Sequence, residues 1–152
     1  MAVGTSSNGG SGTTPRVEQA VLLLWDYENE ENVWEGSPER SVAVFNALTV
    51  APDGQLIGTV NGTDPGLFVF DAAARCFTNW IDLPDGRPLD LGLQTGSDGA
   101  IYGFTSQCFY WVDLSAGQIE QIFNAEISVA GPIVGQDVYF GDGCVLKSVS
   151  VF

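Results

Sequence analysis

The stretch APDGQLIGTVNGTDPGLFVFDAAARCF, Ala51 to Phe77, decides the fold. It holds a Pro-Asp-Gly turn, a short apolar run, a polar Asn-Gly and Asp-Pro cluster, a second apolar run closed by Asp71, and another turn. Read outward, the same order recurs. APDG (Ala51–Gly54) returns as GSDG (Gly96–Gly99), 45 residues later. QLIGT (Gln55–Thr59) is matched by AIYGFT (Ala100–Thr105), by DVYFGD (Asp137–Asp142) and, earliest, by AVGT (Ala2–Thr5). Each is followed by a strand-like run: LLLWD (Leu22–Asp26), LFVFD (Leu67–Asp71), FYWVD (Phe109–Asp113) and VLKSV (Val145–Val149). A further run follows three of these, NVWEG (Asn32–Gly36), CFTNWID (Cys76–Asp82) and IEQIF (Ile119–Phe123). An apolar run precedes the turns: NALTV (Asn46–Val50), LGLQT (Leu91–Thr95) and VAGPIV (Val129–Val134).

Each period therefore carries four short strands, a to d, and the strand-ending acids Asp26, Asp71 and Asp113 lie 45 and 42 residues apart. Four strands in about 40–50 residues is the period of a propeller blade. Short runs rich in Val, Ile, Leu, Phe and Trp suit half-buried pleated surfaces. No segment carries a helical period. Asp-Gly supplies the positive φ of the a–b turn. The acid closing strand c accepts bonds from the backbone that follows it, so these three acids read as turn parts rather than as a shared cation site. Trp25, Phe70 and Val112, just before them, are expected to fill the space between blades. Trp34 and Trp80, in strand d, read as blade-to-blade packing rather than as sugar platforms.

Composition bounds the function. The chain has 152 residues, 45% of them hydrophobic, enough for one domain with a core. Nineteen acids face five bases, a net charge of −14. That balance opposes nucleic acid and anionic membrane, which need a positive footprint. There is no histidine, which removes His-dependent catalysis and His metal sites. Cys76, Cys108 and Cys144 are an odd number at wide spacing and form no CxxC pair, so free thiols in a reducing compartment are expected. No leader-like segment or long apolar span stands in the chain, which makes a cytoplasmic location the default expectation.

The chain resembles β-propeller repeat proteins of the kelch, WD-repeat and quinoprotein-like type. The likeness is to the carboxy-terminal half of a larger bacterial propeller whose blades read APDG-x-IYG-T…LFVFD. It covers nearly the whole chain and is more specific for architecture than for activity. It implies an all-β partial propeller of about three and a half four-stranded blades, over residues 1–36, 42–82, 90–123 and 127–152. Fourteen strands suggest either part of a longer chain or a homodimer completing a seven-bladed ring. Propeller lactonases and lyases use metal-binding acids with Asn or His, and no full set of that kind is matched here.

Binding groups are expected where loop length varies, on the face carrying the b–c and d–a connections. The candidates are Thr5, Asn8, Arg16, Thr59, Asn61, Asp64, Thr105, Gln107 and Asp142 on or beside b–c connections, with Arg87 and Asp90 on a d–a connection. The loop SSNGGSG (Ser6–Gly12) lacks both the GK[ST] ending and the following helix of a phosphate loop. The leading expectation is a non-catalytic module binding a carbohydrate, a peptide or a partner protein, without a cofactor. The runner-up is part of a propeller hydrolase or lyase in which these acids contribute to a Ca²⁺ site.

Overall fold

The computed structural model describes residues 2–6, 19–61, 65–83 and 91–151. They form fourteen strands in four antiparallel sheets. The first holds β1 (Ala2–Ser6), β2 (Val21–Asp26) and β3 (Glu31–Gly36). The second holds β4 (Val44–Val50), β5 (Leu56–Asn61), β6 (Gly66–Asp71) and β7 (Cys76–Asp82). The third holds β8 (Gly92–Thr95), β9 (Ile101–Phe104), β10 (Cys108–Asp113) and β11 (Gln118–Asn124). The last holds β12 (Val129–Val134), β13 (Asp137–Asp142) and β14 (Val145–Ser150). Strands follow chain order within each sheet, as in the blades of a partial propeller. The inner strand β4 lies against β8, and β8 against β12, so successive sheets share one inner side.

The turns explain why these residues make hairpins. Gly54 and Gly99 take φ of +87° and +81°, and Asp53 and Asp98 accept the N–H groups of Gln55 and Ala100 at 3.1 and 3.0 Å. Asp71 Oδ1 accepts the N–H groups of Ala73 and Ala74 at 2.8 and 2.9 Å. Asp113 Oδ1 accepts those of Ser115 and Ala116 at 2.9 and 3.0 Å, and also the Ser115 hydroxyl. Asp26 does the same for Glu28 and Asn29. The last residue of that turn is left-handed in all three sheets: Glu30 at φ 54°, Arg75 at 57° and Gly117 at 64°. Only the third is a glycine, so Glu30 and Arg75 each carry roughly 1–2 kcal/mol of backbone strain. Every c–d pair also has a bulge, between Leu24 and Trp25, Val69 and Phe70, and Phe109 and Tyr110. The first two bulges lie just before the turn acid and the third near the start of β10, and each sharpens the local twist of the outer edge.

Three apolar layers lie between the four sheets. Leu22 and Leu24 of the first sheet meet Phe45, Phe68 and Phe70 of the second. Ile57 and Leu67 meet Leu93, Ile101, Tyr110 and Val112 of the third. Tyr102, Phe104 and Phe109 meet Val138 and Phe140 of the fourth. Phe70 and Val112 fill such layers, but Trp25 does not and is 42% exposed. It holds the place of Phe70 in the first sheet, whose outward face meets no sheet among the described residues. Trp34 packs inward, its ring centroid 4.8 Å from that of Phe70. All three cysteines are free thiols.

Candidate functional site

Strands β1, β5, β9 and β13 are the b strands of their units, and their C-terminal ends reach one rim with the b–c and d–a connections. Thr5 lies near the end of β1, Asn61 ends β5, Thr105 follows β9 and Asp142 ends β13. Asn8, Arg16, Asp64, Arg87 and Asp90 lie outside the described residues. Thr59 is wholly buried inside the sheet packing, and its Oγ1 has no hydrogen-bond partner among the described residues. Thr105 is also buried. Its Oγ1 accepts the N–H groups of Gln107 and Cys108 at 3.2 and 3.0 Å, so this hydroxyl closes the β9–β10 turn.

Two of the candidates come together. Gln107 from the β9–β10 turn and Asp142 from the end of β13 line one open pocket of about 340 Å³ with Ser106, Glu126, Ile127 and Ser128. The walls are fixed by backbone bonds between loops. Ala125 N–H donates to Gln107 O, and Ile127 N–H to Ser106 O, both at 3.0 Å. Ser128 ties the floor to the fourth sheet: its hydroxyl donates to Gly141 O at 3.1 Å and accepts Gly143 N–H at 3.0 Å. Lys147 pairs with Asp142, leaving Glu126 as the lining charge without an ion pair among the described residues. Glu126, Ile127 and Ser128 escaped the sequence reading because their connection, between β11 and β12, is short, and loop length was the signal used; Ser106 lies in the β9–β10 turn between the candidates Thr105 and Gln107.

Chemically the pocket offers hydroxyls, an amide and two carboxylates on a braced rim, a set suited to hydrogen-bonding a polar ligand. Among the described residues no group of three or more Cys, Asp or Glu is placed to hold a metal. The resolved acid shifts fall elsewhere. The Asn29 amide, ahead of the Glu28 N–H, holds the Asp26 carboxyl below its ordinary range, and the Ser115 hydroxyl does so for Asp113. Burial, then the Asp98 carboxylate that accepts its hydroxyl at 2.9 Å, pushes the Tyr102 phenol upward. These groups belong to turns and to packing.

No protein-family model matches the chain, and no curated protein does. A solved structure does. The selenomethionine-substituted virginiamycin B lyase from Staphylococcus aureus superposes with a TM-score of 0.56 at 13% identity, over 88% of this chain and 48% of the lyase chain. The likeness extends to the propeller fold, and the chain spans about half the length of that lyase.

Proposed function

We propose that the chain is a non-catalytic propeller module of the kelch, WD-repeat or quinoprotein-like type that binds a hydroxyl-rich ligand, a carbohydrate or a polar protein surface, through its loop face. One observation carries this reading: Gln107 and Asp142, from two different sheets, meet in a single braced pocket with two serines and Glu126. Polar groups held on rigid elements recognise a ligand at low ordering cost. Thr5, Asn8, Arg16, Asn61, Asp64, Arg87 and Asp90 would extend the surface along the same rim, with Thr59 and Thr105 shaping it from beneath. What meets the two outward sheet faces belongs to the same proposal: a second copy or the remainder of a longer chain.

Calorimetric titration with neutral oligosaccharides tests it. Gln107→Ala should weaken binding about tenfold, as loss of a well-made polar contact does, with unchanged melting. Equal affinity in the variant would move the site away from this pocket. A second reading, part of a propeller hydrolase or lyase whose catalytic groups lie in a longer chain, is favoured by the chain's spanning only half of the lyase. Turnover by a longer chain that contains this one, lowered by Glu126→Gln while this chain alone stays inactive, would favour it over binding.

A further inference from the structure

The outer groove between the first and second sheets differs in its charged lining from the open pocket on the third sheet's face toward the fourth. The latter, about 470 Å³, is lined by Asp98 and Glu120 beside Tyr102 and Trp111. The former, about 630 Å³, is lined by Arg40 and Arg75 beside Trp34 and Trp80, with Thr78 and Asn79 along one wall and Glu39 as its acid. In a chain with five bases against nineteen acids, two guanidinium groups in one groove are a local concentration of base, set beside Glu39 and the Asp82 that pairs with Arg40.

Both guanidiniums are held in place. Arg40 lies over the Trp80 ring, 4.6 Å from its centroid, and pairs with Asp82. Arg75 reaches across from the β6–β7 turn and donates to Val33 O at 3.1 Å. Each keeps N–H donors beyond these bonds, because a guanidinium has five. Arg75 also sits at the left-handed turn position where the third sheet has Gly117, so its side chain is present against local backbone preference. The half-buried Trp34 indole, the Thr78 hydroxyl and the Asn79 amide supply an apolar face and neutral hydrogen-bonding groups. The volume is that of a small-molecule site. Strand addition by a peptide is opposed at this point, since the Trp80 backbone N–H on the outermost strand is already taken by Asn79 Oδ1 at 2.8 Å.

We propose that this groove binds a short carboxylate-bearing saccharide, its ring against Trp34 and its carboxylate between Arg40 and Arg75. Guanidinium–carboxylate pairing supplies the selectivity for the acidic over the neutral sugar.

Trigalacturonate is the probe, with galactotriose as its neutral counterpart and a tetraglutamate peptide as the competing class. Tryptophan fluorescence should report saturable binding of trigalacturonate that weakens with added salt. Bound probe should slow alkylation of the exposed Cys76, which lines the groove, and leave the exposed Cys144 unaffected. Arg75→Gly, which relieves the left-handed strain and so keeps the fold, should weaken binding about tenfold or more. Arg40→Gln should act in the same direction. Unchanged affinity in Arg75→Gly, equal binding of galactotriose, no saturable binding at millimolar probe, or tighter binding of tetraglutamate would each overturn the proposal.

Discussion

Strands β6 and β14 are both third in their sheets, yet they meet opposite environments. β6 has five of its six residues buried, whereas β14 has none buried and a single half-buried one. Phe68 and Phe70 face the first sheet, Leu67 and the backbone-paired Val69 face the third, and β7 covers the edge. β14 has a sheet on one side only, where Val149 packs, and it is the last strand of its sheet among the described residues. The opposite face carries Leu146, Ser148 and Ser150, with Leu146 74% exposed. The pair teaches that strand stability here comes from neighbouring sheets rather than from strand propensity, as expected when packing dominates β preference.

The strongest way to break that comparison is to hollow out the enclosed strand. Phe70 is fully buried, with its ring 4.8 Å from Trp34 and 5.1 Å from Phe77. Phe70→Ala should cost about 3–5 kcal/mol in urea unfolding, the usual penalty for deleting a buried aromatic ring. A loss below about 1 kcal/mol would mean that the layer between the first two sheets collapses freely. The same layer can be overfilled from within the same sheet. A Cβ on Gly58 would come 2.4 Å from the Phe68 ring, so Gly58→Ala should cost about 1–3 kcal/mol by the same measurement.

How much of this was legible follows from the same contrast. The strand order, the turn role of Asp26, Asp71 and Asp113, and the positive φ of Gly54 and Gly99 could be read because each depends on a few adjacent residues. Trp25 was misread because its environment depends on whether a sheet lies beside it, and local pattern carries no such information. Strand count gave fourteen correctly, but two copies set head to tail would bring together eight sheets, because the incomplete sheets hold three strands each. They would not merge into seven four-stranded blades. The pairing of Gln107 with Asp142 depends on where two loops meet across sheets, which no single stretch encodes. The groove arginines, 35 residues apart, were invisible for the same reason.

The turn acids sharpen the comparison at a lower level, since the first three units each have one regardless of their neighbours. Asp71→Ala removes two backbone bonds and should cost about 1 kcal/mol, with any ligand affinity of the folded protein unchanged. Asp113 adds a pH test. Its carboxyl is held below the ordinary range, first by the Ser115 hydroxyl and then by the Ala116 N–H. A folded-state value below the unfolded one contributes stability above the unfolded value, about 3.9, and loses it as pH falls through the folded value. Asp113→Ala should therefore be less stable than the parent at neutral pH, and the gap should narrow as pH falls through the folded value. A gap that persists in acid would assign the loss to side-chain packing instead of to the charge-assisted turn.

The smallest expected effect on unfolding is at Leu146, and it decides what the outward face is for. Leu146→Ser removes an exposed side chain, so unfolding should shift by less than about 0.5 kcal/mol. A loss comparable to that of Phe70→Ala would mean that this face is covered in solution even at the lowest concentrations. Association is the sensitive readout. Val129, Val134 and Leu146 on the fourth sheet, and Trp25 on the first, are large apolar groups left in solvent. Inside the chain, faces of these two kinds meet three times, at each apolar layer, which makes head-to-tail contact between copies the geometry that repeats the internal one. Sedimentation at micromolar concentration should show the parent chain associating, and Leu146→Ser together with Trp25→Ser should shift it to monomer. Association that survives both substitutions would place the contact elsewhere, and a parent chain that stays monomeric would show that Ser148 and Ser150 already make this face tolerable to water.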